Sequence, residues 1–551
     1  MRKAIALLLL FLVQAYAANM CYQHVRTVSV PVVGVTILPN GEEKGVVGKL
    51  QVTVACPGSG QIYVASEPLT QVDTQGVARI AVLVASAIAG KPWTSCDYFF
   101  HFITPSVIVG GPSAGIAMTV ATYAALTDQK PLPQVAGTGT VGPDAVVGPV
   151  GGVYAKMLAA AKKGYKVFVI PKGEEVTMRQ IVNTLRTPFG FVQNITTVPV
   201  NLVKLGSKLG IKVVPVATVY DALKVWLPKP PAVKKAELKG LPPKVVKVMN
   251  EWYDYYMKLY LKYHAMVKGI TPQSLEYLRT ASRFIELSKE VKDPYQKVNY
   301  AFSAAILTER AYWSDMIALR GFSALIQLDT EVKKLLDEAN TTIYKNMSYD
   351  VNKLDILLTA ANRYLKAKYY YSKALNSTSV IDILDYLVYS KYFALASKTW
   401  TWLLDVVPRG PQTSPEVFKR SSYAMYSAAE GLLGYLLSLK VPPTQRLEVA
   451  VGVYKEANTM DPLMKMAASM YLAEMVSYNL HKYYNVSLKT MLEKVREASL
   501  YDLGLALRNG VYPTVAAIYL NSASSLNGLE ALMLTDMAAI HSLTLAQLTS
   551  R

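Results

Sequence analysis

Apolar positions follow two different spacings along the chain, and the change between them comes near residue 227. Before it, short β-branched runs are interleaved with stretches of helical period. Val28 to Leu38 and Val47 to Ala55 alternate in part and predict strands, with a turn at Pro39-Asn40-Gly41. Tyr98 to Ile103, Gln134 to Thr140, Tyr165 to Ile170 and Ile211 to Val216 are the other predicted strands. Asp73 to Ala89 carries apolar residues at three- and four-residue steps and ends at Gly90, so it is read as a helix. Ile116 to Leu126, Val153 to Lys163 (stopped by Gly164), Glu174 to Leu185 and Val219 to Trp226 are read the same way. Strands and helices in alternation predict an α/β domain.

Beyond residue 243 the pattern is almost wholly helical. Val245 to Lys268, Val298 to Ala318, Leu354 to Ala374 and Ser414 to Leu439 show the three- and four-residue spacing of amphipathic helices. Breaks at Gly269, Pro294, Gly410-Pro411, Pro442-Pro443 and Asn509-Gly510 set their lengths. The expectation is an all-α helical bundle or irregular solenoid without a strict repeat. Between the two patterns lies a proline-rich stretch, residues 228–243, expected to act as a semi-rigid linker. Tyrosines cluster in the helical half, as in Tyr253-Asp254-Tyr255-Tyr256 and Tyr369-Tyr370-Tyr371. They would line helix interfaces, or alternatively offer a peptide-binding surface.

The first seventeen residues change the picture of where the chain works. Arg2 and Lys3 precede an apolar run from Ala4 to Val13, and Ala15-Tyr16-Ala17 is a small-x-small cleavage site. This is the composition of a signal peptide, too short for an ordinary membrane span. The expected organisation is therefore 1–17 signal peptide, 18–227 α/β domain, 228–243 linker and 244–551 helical domain, in a secreted or cell-surface protein. Export makes the three cysteines, Cys21, Cys56 and Cys96, candidates for a disulfide. Cys56 ends one predicted strand and Cys96 precedes another, which permits a bridge, although sequence does not fix the pairing. The formal charge of +19 is spread over both halves and is not interleaved with aromatics in a stripe. Attraction to an acidic cell surface or acidic clients is expected, and nucleic acid is not. Asn194, Asn340, Asn346, Asn376 and Asn485 head glycosylation sequons. No cofactor or metal motif is present, and no Gly-x-x-x-x-Gly-Lys-Ser/Thr phosphate loop occurs.

Candidate chemistry sits in two short pieces. Gly110-Gly111-Pro112-Ser113-Ala114-Gly115 puts a serine at the mouth of the apolar helix Ile116 to Leu126. Pro149-Val150-Gly151-Gly152-Val153-Tyr154-Ala155-Lys156 opens the helix Val153 to Lys163 with a lysine among Met157, Leu158 and alanines. Such neighbours desolvate the ammonium and lower its pKa, as a general base for a serine hydroxyl requires. Taken singly, Ser113 would be a helix N-cap and Lys156 a surface lysine snorkelling from its helix.

The pair, in this order and framing, resembles the proteolytic domain of Lon proteases, serine peptidases with a Ser–Lys dyad. Gly111 to Gly115, Pro149 to Lys156 and Val167-Phe168-Val169-Ile170-Pro171 match that family's three boxes. The resemblance implies that Ser113 is the nucleophile and Lys156 the base. It implies further that the Thr138 hydroxyl, in Thr138-Gly139, orients the lysine. His101 matches a histidine-bearing strand before the serine. The loop Gly111, Pro112 and Ala114 would surround the oxyanion. Gly110 and Thr140 depart from the family, which usually has acidic residues there. Thr187 to Leu209 looks longer than the family needs and is read as an insertion. Lon-type domains commonly assemble as rings, so the resemblance alone gives a homo-oligomer as an expectation.

The reading is an exported, ATP-independent, Lon-like serine endopeptidase acting on polypeptides, with a helical domain that recruits substrate. Its rivals are a catalytically silent Lon-like domain carrying a helical adaptor at the cell surface, and a protease that processes only itself.

Overall fold

A computed structural model describes residues 22–38, 43–70, 72–109, 111–187 and 190–550. The predicted signal peptide, Cys21, the Pro39-Asn40-Gly41 turn and Gly110 lie outside the described residues. The chain divides into two compact units, the first reaching Ala232 and the second running Val233–Thr549. The N-terminal unit mixes sheets with short helices, and the other is all helix.

In the first unit, β1 (His24–Ile37) and β2 (Glu43–Cys56) form an antiparallel pair along their full length. β4 (Asp97–Val109) joins β2 antiparallel, and β3 (Ile62–Thr70) adds in parallel beyond β4, giving the order β1-β2-β4-β3. Alternation decides which side chains face inward. Leu50, Val52 and Val54 on β2 are buried, as are Tyr98, Phe100 and Phe102 on β4. β3 was not foreseen from the sequence. A disulfide joins Cys56, at the end of β2, to Cys96, which precedes β4.

Helix α1 (Val72–Ala89) and helix α2 (Gly115–Leu126) are almost entirely apolar, and every residue of α2 is buried. A second, three-stranded parallel sheet has the order β11-β8-β5, built from β5 (Val135–Gly137), β8 (Val167–Pro171) and β11 (Lys212–Val216). The short pair β6 (Thr140–Val141) and β7 (Val147–Gly148) lies between β5 and α3 (Val153–Lys162) in the chain. Val153, Met157 and Ala160 of α3 pack with Phe168, Ile170, Ile211 and Val213 in one hydrophobic cluster.

One expectation is corrected here. Residues 174–185 are not a helix. β9 (Val176–Thr187) pairs antiparallel with β10 (Gly190–Asn201), Gly190 opposite Thr187 and Asn201 opposite Val176. Strand β9 holds three threonines and three β-branched aliphatics, which favour extended backbone over helix. Thr187 to Leu209, read above as an insertion, carries regular structure of its own. It supplies the returning strand β10 and then α4 (Leu202–Leu209), capped by Asn201, whose side chain accepts from the Lys204 N–H at 2.9 Å. Helix α5 (Val219–Trp226) closes the unit with a capping box between Thr218 and Asp221.

The second unit contains α6 (Pro243–Met266), α7 (Pro272–Glu290), α8 (Pro294–Arg320), α9 (Phe322–Lys345), α10 (Val351–Leu375), α11 (Val380–Trp400), α12 (Pro415–Ser438), α13 (Gln445–Glu456), α14 (Pro462–Tyr483), α15 (Leu488–Arg508), α16 (Thr514–Ala523) and α17 (Gly528–Leu548). Several starts share one device, a capping side chain followed by proline at the first helical position. Thr271-Pro272, Asp293-Pro294, Ser414-Pro415 and Asp461-Pro462 all use it. Pro294 thus opens a helix as well as breaking the chain before it. Sequence neighbours pack on one another, α7 on α8 and α10 on α11, and next-nearest helices also meet, α6 on α8 and α15 on α17. The tyrosine clusters fill these interfaces. Tyr256 is buried with its hydroxyl 3.1 Å from that of Thr399, Tyr392 donates to the Ala305 carbonyl at 3.0 Å, and Tyr370 stacks on Phe393. Helix α17 is long and apolar enough to cross a membrane, but 83% of its apolar window is buried inside the structure. The proline-rich stretch is not wholly free. Val233 is buried, Ala236 donates its N–H to the Leu500 carbonyl at 2.8 Å, and Lys235 pairs with Glu497.

Candidate active site

Helix α3 places Lys156 on its inward face. Val153, Lys156, Met157 and Ala160 follow the i, i+3, i+4, i+7 stripe, so the lysine shares the side that three core residues hold down. It is only 4% exposed. The helix lies unusually close to β2. A Cβ built on Gly45 would stand 2.0 Å from the Ala155 carbonyl oxygen, so no other residue fits without moving α3. Removal from water pulls the Lys156 ammonium down to about 8, and the Glu174 and Glu43 carboxylates act in the opposite direction. The surface-lysine alternative does not describe this residue.

Ser113 sits in a tight 3-10 turn, Pro112–Ala114, that runs into α2. Neither the turn nor α2 uses a side-chain cap, so Ser113 is not an N-cap and its hydroxyl is not spent on helix ends. Gly111 precedes it at φ +89°, a conformation that glycine adopts freely, and a side chain there would point into open space. Ser113 itself is half-buried. Pro112 has no N–H, so the turn's own donors for an oxyanion are the amides of Ser113 and Ala114.

Thr138 connects the two. It is fully buried, following β5, and its N–H is held by the Val169 carbonyl at 3.0 Å. Its hydroxyl donates to the Ser113 carbonyl at 3.1 Å and accepts from Lys156 Nζ at 3.5 Å. The Gly139 N–H also donates to the Ser113 carbonyl, at 3.1 Å, while the Gly139 carbonyl accepts from Ile116 at 3.1 Å. The serine turn is thus pinned to the Thr138-Gly139 segment that follows β5. These bonds join Ser113 and Lys156 through Thr138. His101 lies on β4, opposite Gln51 and Ala65, and is half-buried.

Glu174 was missed by sequence reading. Its two carboxylate oxygens each lie 3.2 Å from the Val150 N–H, fastening the Pro149–Gly152 loop just ahead of α3. Reading residues 174–185 as a helix concealed this role. The signal available was the Lys172-Gly173-Glu174-Glu175 turn directly after the Ile170-Pro171 strand end.

Comparison with known proteins covers this region. The chain is 36% identical over 97 residues to the Lon protease of Roseiflexus castenholzii, a match covering 18% of this chain and 12% of that one. It is 32% identical over 178 residues to the Lon protease of Fervidobacterium nodosum, covering 30% and 21% respectively. Lon protease homolog 2, peroxisomal, of Xenopus laevis is 33% identical over 96 residues, or 17% and 11%. The chain therefore spans only a small part of the length of these relatives. Residues 71–203, which hold Ser113, Thr138, Lys156, Glu174 and the whole β9–β10 hairpin, match the Lon protease (S16) C-terminal proteolytic domain.

Proposed function

We propose that this protein is an exported serine endopeptidase that cleaves polypeptides with a Ser113–Lys156 dyad. One observation carries the reading: a buried lysine with its pKa lowered to about 8 shares a hydroxyl, that of Thr138, with the turn bearing an uncapped serine. Lysine in its neutral form accepts the Ser113 proton while Oγ attacks the scissile carbonyl carbon. The developing oxyanion is met by the Ser113 and Ala114 amides. Lys156 then returns the proton to the leaving amine, and it activates the water that hydrolyses the acyl ester. Thr138 orients the lysine, and Gly111 leaves space for the substrate chain. Catalytic hydrogen bonds often tighten only when substrate binds, so a direct Ser113–Lys156 bond belongs to that complex.

A silent adaptor domain fits less well, because nothing in an adaptor would require a lysine to be held in an apolar interior at a cost in stability. Export is supported by the signal-like residues 1–17 and by the Cys56–Cys96 disulfide, which suits an oxidising compartment. No phosphate loop occurs in these 551 residues, so the proposed cleavage needs no nucleotide bound by this sequence and favours flexible or misfolded clients. The helical unit would recruit them, and assembly into a homo-oligomer and association with an acidic cell surface belong to the same proposal. Treatment with a fluorophosphonate, which phosphonylates a nucleophilic serine Oγ with loss of fluoride, followed by peptide mapping tests the centre of it. The adduct should fall on Ser113 and be absent after Ser113→Ala. A modification that persists in that variant would refute the assignment.

A further inference from the structure

Within the helical unit, remote from the residues discussed above in sequence, a cavity of about 490 Å3 opens between α6, α8, α10, α11, α14 and α17. Ligand pockets run roughly 300–1,000 Å3, so its size is that of a binding site and not of a packing fault. Its walls are aromatic, with Trp252, Tyr256, Trp400 and Tyr471 buried around it. Three cations line it, Arg363, Lys366 and Arg446, against one acid, Glu530.

None of the three cations has a carboxylate within ion-pair distance among the described residues. Lys366 Nζ lies 3.7 Å above the Tyr471 ring and 5.8 Å from that of Phe393, and makes no hydrogen bond. Arg363 is 8% exposed, donates to the Tyr519 hydroxyl at 3.3 Å and lies 5.8 Å from the Trp400 ring. Arg446 is exposed and contacts the Met533 sulfur. The nearby Glu474 carboxylate meets His541 Nε2 through Oε1 at 3.2 Å and favours the charged forms of Arg363 and Lys366 from beyond ion-pair distance. Burial, with Arg363 and Arg446 beside it, holds the Lys366 ammonium well below the usual lysine range. Aromatic faces contribute about 2 kcal/mol or so to a desolvated cation, far less than its lost hydration. Among the described residues, the cationic side of the cavity thus has no carboxylate in direct contact.

We infer that this cavity binds a carboxylate carried on an apolar body, the carboxylate meeting Lys366 and Arg363 while the body lies against Trp400, Tyr256 and Tyr471. Planar guanidinium and ammonium donors suit a carboxylate, and the aromatic floor suits an apolar chain or ring. The ligand could be a free organic acid or the C-terminus of an apolar peptide, which present the same chemistry. The inference does not depend on the peptidase reading.

Titration calorimetry on the full chain carrying Ser113→Ala, so that no probe is hydrolysed, tests it with three probes. These are N-acetyl-leucyl-phenylalanine, its C-terminal amide and laurate. The peptide acid should bind saturably, and its amide about tenfold or more weakly, since it lacks the charge. Lys366→Met should weaken the acid by a similar factor and leave the amide unchanged. Binding of laurate with no binding of the peptide acid supports the same site and assigns it to free organic acids. Equal affinity for acid and amide, or no saturable binding of either acid at millimolar concentration, would overturn the inference. Should Lys366→Met not fold, the acid–amide comparison on the parent chain still decides.

Discussion

Lys156 shows how much one side chain can be asked to do. Its ordinary pKa near 10.5 falls to about 8 because α3 turns it inward among core residues, and that shift has a structural cost. Below pH 8 the folded protein holds a charged ammonium in an apolar interior, and up to about 3 kcal/mol of stability is lost there by linkage. The sign follows from the direction of the shift. The folded pKa lies below the unfolded one, so stability rises as pH increases from about 8 to 10.5. Lys156→Met, which keeps length and apolar bulk, should therefore abolish hydrolysis and yet raise Tm at pH 7, as thermal melting followed by circular dichroism would show. A variant that is inactive and also less stable would mean that position 156 holds the fold together and is not held under strain by it. The lysine was legible in the sequence because its surroundings and its spacing from Val153, Met157 and Ala160 were on the page. Thr138 was legible only through resemblance, since a lone Thr-Gly pair has no signature of its own. For Glu174 the sequence offered only a turn after Ile170-Pro171, and its bond to Val150, 24 residues earlier, was not legible from it.

Elements carry the next level of control, and here glycine is decisive. β2 approaches α3 so closely at Gly45 that a methyl group would meet the Ala155 backbone oxygen at 2.0 Å. Backbone cannot rotate away as a side chain can, so Gly45→Ala must shift α3, and Lys156 with it, relative to Thr138. Overpacking of this kind costs about 1–3 kcal/mol, and a misplacement of about 1 Å costs on the order of 100-fold in rate. Gly45→Ala should accordingly lower kcat much more than it lowers Tm, with KM little changed, in a peptide-hydrolysis assay. Unchanged kcat would show that the β2–α3 contact does not position the base. Strands and helices with clear periodicity, such as β1, β2, α1 and α2, follow the sequence pattern closely. Residues 174–185 did not, because apolar residues at helical steps coincide there with a β-branched composition that pairing across β10 resolves in favour of strand. The helical half was legible as helices from spacing, and their starts from the Thr, Asp or Ser before proline.

At the scale of the whole molecule, the change of pattern near residue 227 anticipated two units, and the chain divides at Ala232 and Val233. The cavity of the helical unit could not have been foreseen, since Trp252, Arg363, Tyr471 and Met537 are far apart in sequence and none is unusual alone. The proposed export is tested on the entire chain. Intact-mass analysis of native material should find residues 1–17 missing, and a mass that retains them would favour an uncleaved N-terminal segment. The central claim is that Ser113 and a neutral Lys156 act together, and a pH–rate profile of peptide hydrolysis by the full chain tests it most directly. Because the base must be unprotonated, kcat should rise with pH through a midpoint near 8, set by the lowered lysine pKa. Ser113→Ala and Lys156→Arg should both remove that activity at every pH, since guanidinium cannot accept the serine proton. A flat profile, or near-normal hydrolysis by Lys156→Arg, would contradict the account.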